Sequence, residues 1–127
     1  MILFDHIEVH VKNAKKYAIF LQTLFKYGRF KKISQNNTYM FLGSSDLHIE
    51  IKESLNYVNN FNNINGIGFC MPCLRMSDAR AHLNKISGIK IENEIKNPDG
   101  VCIFFTDYEG INWHIKDYEI IDKFINI

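Results

Sequence analysis

Two short segments of the 127-residue chain, HIEIK at 48–52 and NWHIK at 112–116, lie 64 residues apart and superpose without a gap. Around them one order of elements occurs twice. Val11 and Leu74 close the first strand of each half, 63 residues apart, and Gly28 and Gly88 follow the two helical stretches, 60 residues apart. A repeat of this kind restricts the chain to folds that can be built from two like modules. A module of about 60 residues with a one-sided sheet cannot cover its own apolar face, so two must pack side by side.

The halves are read from their hydrophobic periods. After Phe4 the chain alternates: Ile7, Val9 and Val11 point one way, and His6, Glu8 and His10 the other, which is a strand. Residues 13–26 change to a helical period. Ala14, Tyr17, Ala18, Leu21, Leu24 and Phe25 form one stripe, with Asn13 as N-cap and Gly28 beyond the end. Strands follow at 29–34, 38–43 and 46–53, parted by Gln35-Asn36-Asn37 and Gly43-Ser44-Ser45. Six asparagines fall in SLNYVNNFNNIN, residues 54–65, which reads as a surface linker. The order then restarts with a strand at 66–74. A helix at 76–87 follows, capped by Ser77, with Ala79, Leu83 and Ile86 inward. Strands come at 89–95, 101–106 and 111–116, with turns at Asn97-Pro98-Asp99-Gly100 and Asp107-Tyr108-Glu109-Gly110, and 118–126 reads as a short terminal helix. The prediction is an α+β fold. Residues 1–127 form one domain of two βαβββ modules, 1–55 and 66–127, joined by the linker 56–65 and making a curved mixed sheet around a cleft.

Charge narrows the function. Fifteen Lys and Arg against fourteen Asp and Glu leave a net +1, with the signs interspersed. That balance lacks the electrostatic footprint of a nucleic-acid or anionic-membrane binder. No apolar run approaches the length of about 18 residues that spans a bilayer. MILFDHIEVH lacks the basic region and small-residue cleavage site of a signal peptide. Cys70 and Cys73 form a CxxC, but within the apolar run GIGFCMPCL they fall on opposite faces of a strand. With Cys102 they read as reduced, buried thiols of a cytoplasmic protein. Gly-rich phosphate loops, nucleophile elbows and HExxH are absent.

The segments FDHIEVHVKN, LHIEIKE, the NPDG turn and FFTDYEGINWHI, taken in order, resemble the vicinal oxygen chelate superfamily of glyoxalases, bleomycin resistance proteins and extradiol dioxygenases. The resemblance covers nearly the whole chain. Tyr108 and Glu109 stand where the family's D-P-D-G-N turn has Pro and Asp. It implies four positions around a metal ion: His6, Glu50, Phe69 and His114. Phe69 replaces a common histidine, and His114 replaces the glutamate that glyoxalase-like members use as base. His6, Glu50 and His114 remain as a chemically sensible ligand set for Zn, Mn, Ni, Co or Fe(II).

Alternation places Glu8 and His10 beside His6, His48 and Lys52 beside Glu50, and Asn112 and Lys116 beside His114. Glu8 and His10 are the candidate acid–base groups. His48, Phe69, Met71 and Phe104 are the candidate pocket walls. The resemblance implies a divalent-metal-dependent lyase, isomerase or dioxygenase acting on a small oxygen-chelating substrate. The alternative is a metal-free protein that sequesters a small molecule, as the bleomycin-resistance branch does. Either way the partner is a small molecule, and the resemblance implies a homodimer.

Overall fold

The computed structural model describes residues 1–43, 47–55, 66–70, 76–97 and 100–116. The chain divides into two compact units, Met1–Asn59 and Asn60–Ile127.

In the first unit, β1 (Ile7–Val11) leads into α1 (Ala14–Phe25), followed by β2 (Arg29–Ser34), β3 (Thr38–Leu42) and β4 (His48–Glu53). The sheet runs β1-β4-β3-β2. β1 pairs with β4 in parallel and the other neighbours are antiparallel. The helix starts where expected: the Asn13 side chain accepts the Lys16 amide at 3.0 Å, satisfying one of the donors a helix start leaves open. It ends in left-handed backbone at Lys26. Its stripe of Ala14, Tyr17, Ala18, Leu21 and Leu24 is fully buried, as are Val9, Val11, Phe41, Ile49 and Ile51 on the strands. α1 packs on β1, β3 and β4. Each large side chain so buried contributes about 1.5–3 kcal/mol. Glu53 ties the elements together, accepting the Ala14 amide at 3.1 Å and the Asn37 side-chain amide at 2.7 Å.

The second unit repeats the connectivity. β5 (Ile67–Cys70), α2 (Met76–Asn84), β6 (Lys90–Asn97), β7 (Gly100–Thr106) and β8 (Asn112–Lys116) form a sheet in the order β5-β8-β7-β6. β5 and β8 are parallel. Ala79, Leu83, Ile103, Phe105, Ile111, Trp113 and Ile115 are its buried apolar residues. The turn from β7 to β8 is organised by Asp107, only 5% exposed. One carboxylate oxygen accepts the amides of Glu109 (2.8 Å) and Ile111 (3.1 Å), and the other accepts the Trp113 indole N–H at 2.9 Å. A buried charge is tolerated because each oxygen has donors. The result is a fixed entry into β8, the strand that carries His114.

Three expectations are corrected or fall outside the description. α2 begins at Met76, so Ser77 lies in its first turn instead of capping it. The helix stops at Asn84, because Lys85 and Ile86 donate to His82 and Leu83, closing tighter three-residue turns. Residues 56–65, 71–75 and 117–127, including the linker, the end of the fifth strand and the terminal helix, lie outside the described residues. Among the described residues no helix is long and apolar enough to cross a membrane.

Candidate functional site

Strand alternation in the first unit sends Val9, Val11, Ile49, Ile51 and Phe41 toward α1 and leaves the opposite face ionised. Glu8 pairs across from Glu50, and His10 from Lys52. On the other side of β4, Met40 lies across from Glu50 and Leu42 from His48. Pairing in register keeps these side chains on one face.

The ionisable groups form a continuous chain. His6 Nδ1 donates to Asp5 Oδ2 at 2.5 Å, and His6 Nε2 meets Glu50 Oε2 at 2.8 Å. Glu50 Oε1 is 3.8 Å from Lys52 Nζ. Lys52 donates to Glu8 Oε1 at 2.8 Å, and Glu8 Oε2 meets His10 Nε2 at 3.0 Å. His48 Nδ1 lies 3.0 Å from the Asp5 carbonyl. Glu50 is the most sheltered of the carboxylates, its side chain 16% exposed. The hydrogen bond to Asp5, helped by the Glu50 charge, holds the His6 proton above the usual histidine range. Lys52 and then His10 hold the Glu8 carboxyl below its ordinary value, and Glu8 in turn raises the Lys52 ammonium. Glu8 is thus a fixed anion that orients His10.

The His6–Glu50 edge suits a divalent cation. Two ligands each about 2.1 Å from an ion, at right angles, stand about 3 Å apart, which is close to the spacing between His6 Nε2 and Glu50 Oε2. Asp5 behind His6 is the outer carboxylate that metal-binding histidines commonly carry, fixing the ring so that Nε2 faces the ion. Among the described residues no group of three His, Cys, Asp or Glu side chains gathers in ligand geometry. The first unit therefore provides two donors.

In the second unit His114 lies in a row with Gly68 on β5 and Phe104 on β7. Its imidazole stacks on Phe104 with centroids 5.2 Å apart. It also covers Gly68, where an added Cβ would sit 2.2 Å from His114 Nε2. Phe69 is turned to the other face, packing edge-on against Phe105 and Trp113 with centroids 6.4 and 6.0 Å away. Met71 lies outside the described residues.

The parallel registers identify which residues correspond between units. Ile7 pairs with Ile49, and Ile67 with Trp113. Glu50 and His114 are equivalent, as expected. The first strands, however, correspond at a spacing of 60, so the counterpart of His6 is Gly66, and Phe69 corresponds to Val9 on the core side. Gly66 has φ +79°, and a Cβ on it would fall 1.8 Å from the Asn112 carbonyl oxygen. The second unit carries no side chain at that position. Asp5, absent from the sequence-based candidates, was signalled only by standing next to His6 just before a strand.

No family model and no curated protein matches the sequence. Solved structures do match. The FosX fosfomycin resistance protein of Listeria monocytogenes superposes with a TM-score of 0.77 at 21% identity, over 100% of both chains. A variant of that protein complexed with Mn(II) and 1S,2S-dihydroxypropylphosphonic acid matches at 0.71 and 22% identity, over 99% of this chain and 98% of that one. FosX of Mesorhizobium loti matches at 0.70 and 16% identity, over 98% and 99% of the two chains. At these identities the likeness concerns architecture. The chain has the two-module, glyoxalase-like fold of the FosX proteins and of the vicinal oxygen chelate superfamily in which they belong.

Proposed function

We propose that the protein is a divalent-metal-dependent enzyme acting on a small substrate with adjacent oxygens, and that His6, Glu50 and His114 hold the ion. The observation that carries this reading is the His6–Glu50 edge at 2.8 Å with Asp5 bound behind the ring. The equivalence of Glu50 and His114 in the two registers supports His114 as the third ligand. The similar FosX structure complexed with Mn(II) and a dihydroxy phosphonic acid supports the class of ion and of ligand. A divalent ion held there supplies Lewis acidity to a substrate oxygen. The chain's own groups do the rest. Asp5 fixes the His6 ring, and His6 gives up its proton on loading, so affinity rises with pH. Glu8, kept ionised by Lys52, orients His10 and stabilises its charged form, which makes His10 the group that takes and returns a substrate proton. His48 and Phe104 serve as walls.

Elemental analysis of protein grown with Mn, Zn, Ni, Co and Fe tests this directly. About one ion per chain is expected, with loss in His6→Ala, Glu50→Ala and His114→Ala. An ion-free protein whose melting temperature ignores all five metals overturns it. One observation favours the second reading, a metal-free small-molecule binder. Gly66 occupies the counterpart of His6, and the Asp5-to-His10 chain satisfies its own charges. On that reading His6→Ala and His114→Ala leave ligand binding intact.

A further inference from the structure

On the same face of the first unit as the ionised row, but at the other edge of the sheet, lies a depression of about 370 Å³ lined by Arg29, Phe30, Lys31, Ile33, Met40 and Leu42. Arg29 pairs across from Leu42 and Lys31 from Met40, so two cations stand about 7 Å apart along one strand against an apolar floor. Elsewhere the cations are answered: Lys52 by Glu8, Arg80 by Glu94 and Lys90 by Glu92. Among the described residues neither Arg29 nor Lys31 has a carboxylate partner. Two like charges side by side repel, and nothing in the local packing requires them there. Concave apolar sites with a few converging charged groups are what small ligands occupy, and a guanidinium beside an ammonium matches an oxyanion.

We infer that this depression is a binding site for a small organic anion: an apolar body on Met40, Leu42 and Ile33, with its carboxylate or phosphorus oxyanion on Arg29 and Lys31. Because Met40 and Leu42 border Glu50 and His48, the bound molecule lies beside the ionised row with its charged end held away from it. The inference goes beyond the metal reading and does not depend on it.

The test is calorimetric titration of the full chain with benzoate and with phenylphosphonate, in EDTA so that no metal contributes. Binding of either is expected, with the tighter one naming the oxyanion, and affinity falling as salt is raised. Neutral benzamide does not bind. Arg29→Gln/Lys31→Gln weakens binding by about tenfold or more, as expected when charge-assisted hydrogen bonds are lost. Lys32→Gln, an equal loss of charge on the same strand outside the lining, leaves affinity within about twofold. The inference is overturned if neither anion binds, if benzamide binds as well as benzoate, or if the double variant binds like the wild type.

Discussion

Gly66 and Gly68 lie two residues apart, Gly68 within β5 and Gly66 immediately before it, and the structure assigns them opposite sensitivities. At Gly66 an alanine Cβ would fall 1.8 Å from the Asn112 backbone oxygen, at φ +79°. The left-handed backbone costs an L-residue roughly 1–2 kcal/mol, and the overlap is with backbone, which moves only if β5 separates from β8. Against a total stability of about 5–15 kcal/mol, a loss of about 3 kcal/mol or more is expected, and a fall in melting temperature of about 10 °C or more. At Gly68 the obstacle is the tip of a side chain, His114 Nε2 at 2.2 Å. The imidazole rotates aside and loses its stacking on Phe104, an effect of about 0.5–1.5 kcal/mol. Urea denaturation of Gly66→Ala and Gly68→Ala, followed by circular dichroism and by fluorescence of Trp113, separates the two. Trp113 is the single tryptophan and is fully buried in β8, so it reports on the second unit. If Gly66→Ala is as stable as the wild type, or Gly68→Ala loses more than Gly66→Ala, the register that equates Gly66 with His6 is wrong.

Asp5→Asn lowers the His6 pKa toward the ordinary histidine value, read from imidazole NMR shifts in EDTA; no change would remove Asp5 as the principal cause. The sign for stability follows: the folded-state pKa is raised, so the Asp5 contribution is fully present below the unfolded histidine value and disappears as pH rises through the folded one. Asp107→Ala leaves the Trp113 indole and two amides without an acceptor, and at about 1–3 kcal/mol for each unsatisfied group a loss of about 3–5 kcal/mol is expected in thermal unfolding. A loss under about 1 kcal/mol would show that water replaces the carboxylate.

Much of this architecture was legible in the sequence because it rests on local periods. Alternation around Val9 and Ile51 marks the core face, the stripe from Ala14 to Leu24 marks α1, and Asn13 is a cap recognisable by residue type. The ionised face followed from the same alternation, which is why Glu8, His10, His48 and Glu50 all emerge together. What escaped depends on correspondences between distant residues. The span from Ile67 to Trp113 is four residues longer than that from Ile7 to Ile49, since the β6–β7 hairpin is longer than the β2–β3 hairpin. A single repeat offset therefore could not serve both ends of the module, and Phe69 was aligned with His6 in place of Gly66. Ser77 resembles a cap, but only the helix start at Met76 decides that it is not one. Arg29 and Lys31 read as part of a solvated strand until pairing set them over Leu42 and Met40.

The central claim is that His6, Glu50 and His114 coordinate one ion. Pulsed electron paramagnetic resonance of the Mn(II)-loaded protein counts bound imidazoles through their nitrogen couplings. The account predicts two coupled histidines in the wild type and one in either His6→Ala or His114→Ala. A wild-type spectrum indistinguishable from aqueous Mn(II), or one unchanged by both substitutions, would contradict it.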